Sequence, residues 1–340
     1  MGIAGRFVLM AGLLLVAATG AAAQPAGPDP ARPSGGLLPV RNFQPVQLLF
    51  PGPRHARASA LAAGSWSVSV ELAESNTLNA SRDAVTDTGI ELDLETTRVA
   101  VRVRRGLGSG WELGLTLPYL ARWGGVLDRP VELVERSVNQ LNPTRDERPR
   151  GLTRLRYERL GRTVFSASGP RAGAGDVGLL VHKSFEPEGA EGRWALRGGV
   201  ELATGDEGRL FGSGGTDWWV GAAYSRPLAA GWMTGNLKLV VPEAVWEGSG
   251  VETSSFATAA LGWSYPWRPR TTLGVQLGYY GSPLSRTGTD ELEFDLWDLS
   301  ASAGFRLQGG WSWQIGGVQN LVYQSGADFT VLTRLVWTSR

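Results

Sequence analysis

Apolar and polar side chains alternate along most of the chain from Ser65 onward, in segments of about ten residues each. A period of two places every second side chain on one face, so each segment predicts a β-strand with one apolar and one polar face. The segments number about 12, an even count of the kind that bacterial outer-membrane barrels contain. They centre on residues 66–72, 99–103, 111–119, 177–185, 194–202, 218–224, 237–241, 261–265, 273–279, 297–305, 311–315 and 329–337.

The lengths of the connections between these segments also alternate. The short ones read RRGLGSG, EPEGAEG, RPLAAG, YPWRPR and LQGG, and the long ones lie around residues 76–89, 121–175, 204–216, 242–254, 281–293 and 318–327. Short periplasmic turns and long outer loops are typical of up-and-down barrels in outer membranes. A soluble β-sandwich or jelly roll would also alternate, but it has no reason to separate its linkers in this way. We therefore predict an all-β, antiparallel up-and-down transmembrane β-barrel over residues 65–340.

The chain begins with a pattern typical of export. One early positive charge at Arg6 precedes an apolar run and the small residues Ala21, Ala22 and Ala23. This layout predicts a signal peptide over residues 1–23, which is followed by a periplasmic N-terminal segment over residues 24–64. We therefore expect a protein of the Gram-negative cell outer membrane.

Composition supports this picture and removes several other classes of function. The chain has 47 Gly, 14 Trp and no Cys, a profile that fits an outer-membrane barrel. Without cysteine we expect neither disulfides nor a lipoprotein anchor. The formal net charge is only +1, so nothing indicates nucleic acid as a partner. Two histidines and scattered carboxylates show no metal-ligand spacing, and we expect no cofactor.

Aromatic side chains recur where the predicted strands approach the short turns. Rings at one depth form the belt that marks a membrane interface, which makes outer-membrane lipid the expected surroundings. The predicted girdle consists of Trp66, Trp111, Trp194, Trp311, Tyr265, Phe305 and Trp337. Trp232 does not fit, because it falls on the polar phase of its strand.

The polar phase of the predicted strands should face the barrel interior. Its charges have both signs, so they suit either a structural network of ion pairs or a basic channel that attracts an anionic solute. A barrel of about 12 strands is also wider than one that its own side chains fill. The candidate lumen-lining residues are Arg98, Arg102, Arg104, Glu112, His182, Arg197, Glu201, Lys238, Asp298 and Arg334.

Two further motifs suggest chemistry but lack the context for it. His182 shares its predicted face with Ser184, yet no local signature of a Ser-His-acid site accompanies the pair. The stretch TGDEGRLFGSGGTDW, residues 204–218, resembles a phosphate loop but lacks the Gly-Lys-Ser/Thr ending and a following helix. We identify no catalytic residue and expect no enzyme.

The longest predicted outer loop, residues 121–175, contains a short amphipathic helix. Asp128 can cap it, Pro130 suits its first turn, and Val131, Val134, Val138 and Leu141 form an apolar stripe before Asn142 and Pro143. The stripe must be buried, either against the barrel mouth, in lipid or on a partner.

The stretch LLPVRNFQPVQLLFPGP, residues 37–53, is apolar but contains Pro39, Pro45, Pro51 and Pro53. Proline donates no hydrogen bond, so a central strand is excluded. Because the stretch precedes the first strand and the lumen has space, it is a candidate lumen plug, with Arg41, Asn42, Phe43 and Gln44 as its candidate contact residues. An ordinary tail or linker is the alternative.

Several motifs together resemble a known family. They are LPVRNFQP before the first strand, GGVLD at residues 124–128 with a helix and NPTR after it, and TGD with GSGGTDW. These are similar to motifs of the uncharacterised exported-protein family called domain-of-unknown-function family 3187, over most of the mature chain. The resemblance implies the barrel and the compartment, and it brings no activity or functional residues.

The leading functional hypothesis is a passive channel or transporter for a small solute, anionic or amphipathic, formed by a monomer. One alternative is an outer-membrane enzyme that modifies lipid or lipopolysaccharide. Another is a structural or adhesive barrel that binds partners through its long loop.

Overall fold

The computed structural model describes residues 37–52, 55–137, 145, 148–186, 192–321 and 325–339. This part of the chain contains seventeen strands, β1 Trp66–Asp83, β2 Thr88–Gly108, β3 Trp111–Trp123, β4 Arg154–Arg159, β5 Arg162–Ser168, β6 Arg171–Ala174, β7 Val177–Phe185, β8 Arg193–Leu202, β9 Asp217–Leu228, β10 Gly231–Val241, β11 Glu252–Thr253, β12 Phe256–Arg268, β13 Thr271–Tyr280, β14 Leu284–Ser285, β15 Leu296–Arg306, β16 Trp311–Asn320 and β17 Phe329–Thr338. The helices are α1, Asp128–Ser137, and α2, Asp290–Glu293, with 3-10 turns at Gln47–Leu49 and Glu207–Arg209.

Twelve of the described strands form a closed antiparallel barrel, which confirms the predicted fold class. Each pairs with its neighbour along the chain, in the order β1-β2-β3-β7-β8-β9-β10-β12-β13-β15-β16-β17. β17 then pairs with β1, from Ser67 opposite Thr338 to Asn76 opposite Phe329. Because the last strand returns to the first, the barrel sheet has no open edge.

The two faces of the barrel strands have opposite polarity, as the alternation predicts. In β1, Ser69 and Glu71 are buried on the inner face, whereas Val70 and Leu72 on the outer face are 46% and 42% exposed. Exposed leucine, valine and tryptophan side chains recur around the outside of the barrel. An exposed apolar surface of this extent is the signature of a barrel that faces lipid.

The connections differ at the two ends of the barrel. At one end, called the short-turn end, the chain turns through residues 109–110, 229–230, 269–270 and 307–310, and β1 begins and β17 ends there. At the other, called the long-loop end, the connections include residues 124–176, 203–216, 242–255, 281–295 and 321–328. None of the described helices is long and apolar enough to span a membrane.

The prediction of a long loop at residues 76–89 is wrong. β1 and β2 continue through these residues as far as a short turn at residues 84–87. In β2 the buried phase there carries Ile90, Leu92 and Leu94. Farther along the same strand the apolar residues Val99 and Val101 lie on the opposite phase. The apolar phase changes sides within one strand, and a pattern that changes phase is easily mistaken for a loop.

The long loop between β3 and β7 is more ordered than the sequence indicates. Besides α1, it contains the hairpin β4–β5, which pairs with β2 at Leu92 opposite Leu155, and β6, which pairs with β3. The predicted helix is present, and its Val131 is buried. The predicted positions Val138, Leu141, Asn142 and Pro143, the side chain of Val134, and residues 1–36 lie outside the described residues.

Glu95 on β2 fixes the chain where it enters α1. Its buried carboxylate accepts hydrogen bonds from the backbone N–H groups of Val126 at 2.9 Å and Leu127 at 2.5 Å. Asp128, the first residue of α1, accepts hydrogen bonds from Asn76 at 3.0 Å and Arg145 at 3.1 Å. These contacts attach the beginning of the helix to the rim formed by β1 and β2.

Candidate functional site

Inside the barrel lies the N-terminal segment, residues 37–52 and 55–65. Its first arm, residues 37–50, begins beside β16, where the side chain of Gln314 donates to the carbonyl of Leu37 at 3.1 Å. It ends near the long-loop end, where Arg122 donates to the carbonyl of Pro45 at 3.1 Å and Gln44 donates to that of Glu291 at 3.3 Å. The first arm therefore follows the inner wall from β16 to the long loops.

The second arm, residues 51–52 and 55–64, returns to the short-turn end. It is held first by Lys238, whose Nζ donates to the carbonyl of Gly52 at 2.7 Å. Backbone N–H groups farther along donate to inward-facing side chains, among them Ala58 to Ser225 at 3.2 Å and Leu61 to Glu112 at 3.0 Å. The arm then joins β1. The two arms together run along the inside of the barrel in both directions.

Polar side chains of the first arm bind the segment's own backbone. Arg41, only 4% exposed, donates to the carbonyls of Leu48 at 3.2 Å and Phe50 at 2.6 Å. The Gln44 oxygen accepts from the N–H of Val46 at 2.9 Å, and Asn42 accepts from the N–H of Gln44 at 2.9 Å. Because the prolines leave this segment without regular ladder bonds, such side-chain contacts satisfy its backbone groups.

The tip of the N-terminal segment, residues 46–50, packs into an apolar cluster at the long-loop end. Val46, Leu49 and Phe50 contact side chains from strands and loops there, and Phe50 meets Phe256 edge-to-face at 6.3 Å. Phe43 belongs to a second apolar cluster. The partners of the tip are Ile90, Leu92, Leu94, Leu155, Tyr157, Phe165, Leu210, Trp219, Val240, Val245, Phe256, Leu284 and Leu292. The barrel mouth at this end is therefore filled by an apolar core.

A cavity of about 180 Å³ remains between the second arm and the barrel wall. It extends from the middle of the barrel toward the short-turn end, past Glu112 and Thr338. Six cationic side chains and two carboxylates line it, together with both histidines. The charged lining residues are Arg57, Arg102, Arg104, Arg197, Lys238, Arg334, Glu112 and Glu201.

Ion pairs tie part of this charged wall together. Glu71 bonds Arg98 at 2.9 Å and Arg102 at 3.3 Å, and Glu112 bonds Arg104 at 3.2 Å. Each of these carboxylates is about 2% exposed, and a buried carboxylate needs such partners. A structural ion-pair network and a basic cavity are therefore both present, side by side.

Two further cations of the lining lie beside a tryptophan. The Lys238 Nζ lies 4.0 Å from the ring centre of Trp219, and the Arg197 guanidinium carbon lies 5.6 Å from it. Arg334 donates to Ser69 at 3.2 Å on the neighbouring strand. Cations over an indole ring gain a cation–π attraction, which helps to hold two positive groups near each other.

Two candidate lumen residues lie elsewhere on the inner wall. Arg98 is 1% exposed and enclosed beside Glu71. Asp298 is 3% exposed and lies beside Tyr280. The remaining eight candidates line the cavity.

Four residues that the candidate set omits also belong to this site. Glu71 anchors two arginines, while His55, Arg57 and Trp219 line the cavity. Trp219 lies on the polar phase of β9, next to the outward Trp218, and this inward tryptophan was a signal in the sequence. The position of His55 and Arg57 depends on the path of the N-terminal segment, which strand periodicity does not describe.

Burial and then the nearby Arg197 and Arg57 lower the pKa of His55 to about 3. The imidazole is therefore neutral at ordinary pH, since its charged form is disfavoured by desolvation and by like charge. His182 lies beside the backbone of Ala58 on the returning arm. The described residues contain no group of three or more acidic or histidine side chains arranged to hold a metal ion.

Aromatic residues surround the short-turn end. Trp66, Trp111, Trp194 and Trp311 are 40% to 51% exposed there, and Tyr265, Phe305 and Trp337 are half-buried. Rings pair across strands, as Trp194 does with Tyr224 at 4.4 Å. Trp232 lies opposite the buried Ser264 on the inner phase of its strand, in agreement with the sequence pattern.

A family model described as protein of unknown function (DUF3187) matches residues 13–337. The chain belongs to this family. The family resemblance seen in the motifs is thereby confirmed, and no curated protein sequence matches the chain significantly.

Structure comparison finds solved channel and transporter structures similar to this chain. The COG4313 outer membrane channel from Pseudomonas putida F1 has a TM-score of 0.54 and 16% identity, with 83% of this chain and 98% of that one covered. The Ralstonia pickettii toluene transporter TbuX has a TM-score of 0.40 and 8% identity, covering 88% and 98%. A Pseudomonas aeruginosa FadL homologue has a TM-score of 0.38 and 8% identity, covering 88% and 94%. At such identities the likeness concerns the fold.

Proposed function

We propose that the protein is an outer-membrane channel or transporter for small anionic solutes. The observation that carries this proposal is the cavity lining, in which six cationic side chains face two carboxylates. A lumen with an excess of one charge, enclosed by low-dielectric walls, raises the local concentration of the opposite ion. Rings of arginine and lysine select anions in pores by this effect.

The proposal includes an orientation and a surrounding lipid. The long-loop end faces outward, and the short-turn end, with both ends of the barrel chain, faces the periplasm. Outer-membrane lipid covers the apolar belt, and the aromatic girdle lies at the periplasmic interface. In this scheme the barrel functions as a monomer, and one chain is enough to close its sheet.

In this scheme the N-terminal segment closes the channel. Its tip lies in the apolar cluster at the long-loop end, and its second arm is one wall of the cavity. A solute therefore reaches the cavity from the short-turn end and passes farther only when the segment shifts. Polar backbone contacts hold the second arm, whereas apolar packing holds the tip.

The test is the ion selectivity of the purified full chain in a planar bilayer under a potassium chloride gradient. We expect openings whose reversal potential shows a preference for chloride. The double variant Arg197→Gln, Lys238→Gln removes two of the six lining cations and should bring the reversal potential closer to zero. Arg154→Gln is the matched control, because Arg154, on the β4–β5 hairpin outside the lumen, is 52% exposed and pairs with Glu91 on β2.

Two results would overturn the proposal. One is a cation preference that the lumen variants do not change. The other is a barrel that carries no current at any voltage, both as the full chain and after removal of residues 24–60.

A further inference from the structure

The two histidines of the chain line the same cavity, and three of their ring nitrogens have no hydrogen-bond partner. Within the described residues, both ring nitrogens of His55 and Nε2 of His182 are buried and have no hydrogen-bond partner. The His182 side chain is 3% exposed, and both residues line the cavity. Buried polar atoms are rarely left unpaired in proteins, so these nitrogens indicate a polar occupant of the cavity.

The lining of the same cavity carries an excess of positive charge, with six cationic side chains and two carboxylates. Arg197 and Lys238 approach it beside Trp219, and Arg57 enters it from the returning arm. A carboxylate or phosphate accepts strong, charge-assisted hydrogen bonds from such groups. An anionic oxygen can accept from an imidazole N–H, but it has no proton to donate to the unprotonated nitrogen that each neutral imidazole also carries.

We propose that the cavity binds a small hydroxylated organic anion, a carboxylate or phosphate whose carbon chain carries several hydroxyl groups. This inference rests on the proposed function and names its class of solute. A hydroxyl group both donates and accepts, so it pairs with an imidazole nitrogen in either tautomer. The anionic group pairs with the cations while the hydroxyls pair with His55 and His182.

The size of the cavity suits such a molecule. About 180 Å³ corresponds to on the order of a dozen water-sized positions, since one water needs roughly 10 to 15 Å³ by this measure. A six-carbon sugar acid is of that size. A neutral sugar would make no charge-assisted hydrogen bond with the cations. An alkyl carboxylate would offer no donor to the unprotonated nitrogen of a neutral imidazole.

Isothermal titration calorimetry on the full chain in detergent, with three probes of equal carbon number, tests the proposal. Gluconate carries both features, hexanoate only the charge, and glucose only the hydroxyls. We expect gluconate to bind at least about tenfold more tightly than either of the others, because each lacks one set of partners. Hexanoate or glucose binding as tightly as gluconate overturns the proposal.

Variants separate the two sets of partners. His182→Phe and His55→Phe should weaken gluconate binding by about tenfold and leave hexanoate unchanged. Arg197→Gln should weaken both anions, and Arg154→Gln on the outer hairpin should weaken neither. His182→Gln, which keeps a polar group at that site, should restore part of the gluconate affinity and serves where the phenylalanine variant does not fold. Gluconate binding that is insensitive to every histidine variant contradicts the assignment.

The binding experiment and the conductance experiment test different proposals, so a negative result in one can be told apart from a negative result in the other. Anion-selective currents without a preference for gluconate would overturn the solute class and leave the channel intact. Gluconate binding that depends on the histidines, in a barrel that carries no current, would support the site and overturn the channel.

Discussion

Gly125 occupies a position in the turn before α1 where only glycine fits. Its φ is +72°, and a Cβ placed there would overlap the Glu95 carboxyl group. That carboxylate holds the N–H groups of Val126 and Leu127. A side chain at this position would therefore disturb the backbone and also displace the acceptor on which the entry to α1 depends.

The variant Gly125→Ala should destabilise the attachment of α1 to the barrel rim by about 2 kcal/mol or more, because the lost contacts add to the left-handed strain of about 1 to 2 kcal/mol. Gly169→Ala is the matched control, since Gly169 has φ +76° with open space around its Cβ position. Hydrogen exchange of the α1 amides measures the difference. Equal protection in the two variants would mean that Glu95 does not fix the helix.

At the scale of single elements, β2 shows that the surroundings of a strand determine which of its faces carries the apolar side chains. In the lipid-facing region Val99 and Val101 point outward, whereas toward the long-loop end Leu92 and Leu94 point inward. Lipid requires an apolar outside, and water requires an apolar inside, so one strand that passes from lipid into water must change phase. The change between residues 94 and 99 marks that boundary.

This change predicts that leucines on the two faces have different roles. Leu92 is fully buried in the cluster that contains Phe50, so Leu92→Ala leaves a cavity and should cost about 2 to 5 kcal/mol. Leu117 lies on the outer face of β3 and its side chain is 45% exposed. Leu117→Ala leaves no such cavity, because lipid can fill the space. We expect more frequent openings in planar bilayers for the first variant only. Equal leakage from both would show that the cluster does not seal the mouth.

The sequence predicts those elements whose two faces meet lipid and lumen, because the opposite polarity of these surroundings imposes a period of two. It does not reveal β4 to β6. In β4, Leu155 and Tyr157 point inward and Arg154 and Arg156 outward, and the high arginine content hides the strand.

Part of the site was predictable for the same reason. Period two places Arg102, His182 and Lys238 on the inner face, but which of these side chains meet depends on the stagger of the strands, which a sequence pattern does not contain. Asp298 therefore lies beside Tyr280 and away from the cavity. The prolines of the N-terminal segment exclude a strand, but they do not specify the path on which His55 reaches the lumen.

At the scale of the whole molecule, the first arm of the N-terminal segment and the wall of β12 offer a direct test of gating. A Cβ placed on Gly262 would lie 3.0 Å from both Cδ atoms of Leu37 and 2.8 Å from Cε1 of His55. The side chains at positions 37 and 262 are therefore neighbours, which makes the two positions a candidate pair for an engineered disulfide. The chain has no cysteine of its own. The pair Leu37→Cys, Gly262→Cys can therefore form only the intended bond within one chain.

If the N-terminal segment must move for the channel to open, the oxidised double variant should carry no current, because the bond fixes the first arm to the wall. Reduction should then restore the openings of the unmodified chain. Each single variant, measured with and without reductant, controls for the substitutions themselves. Equal currents before and after reduction of a bond verified by mass spectrometry would mean that solutes pass while the first arm stays in place. The second arm, which hydrogen bonds such as that of Leu61 with Glu112 hold to the wall, would then be the moving part.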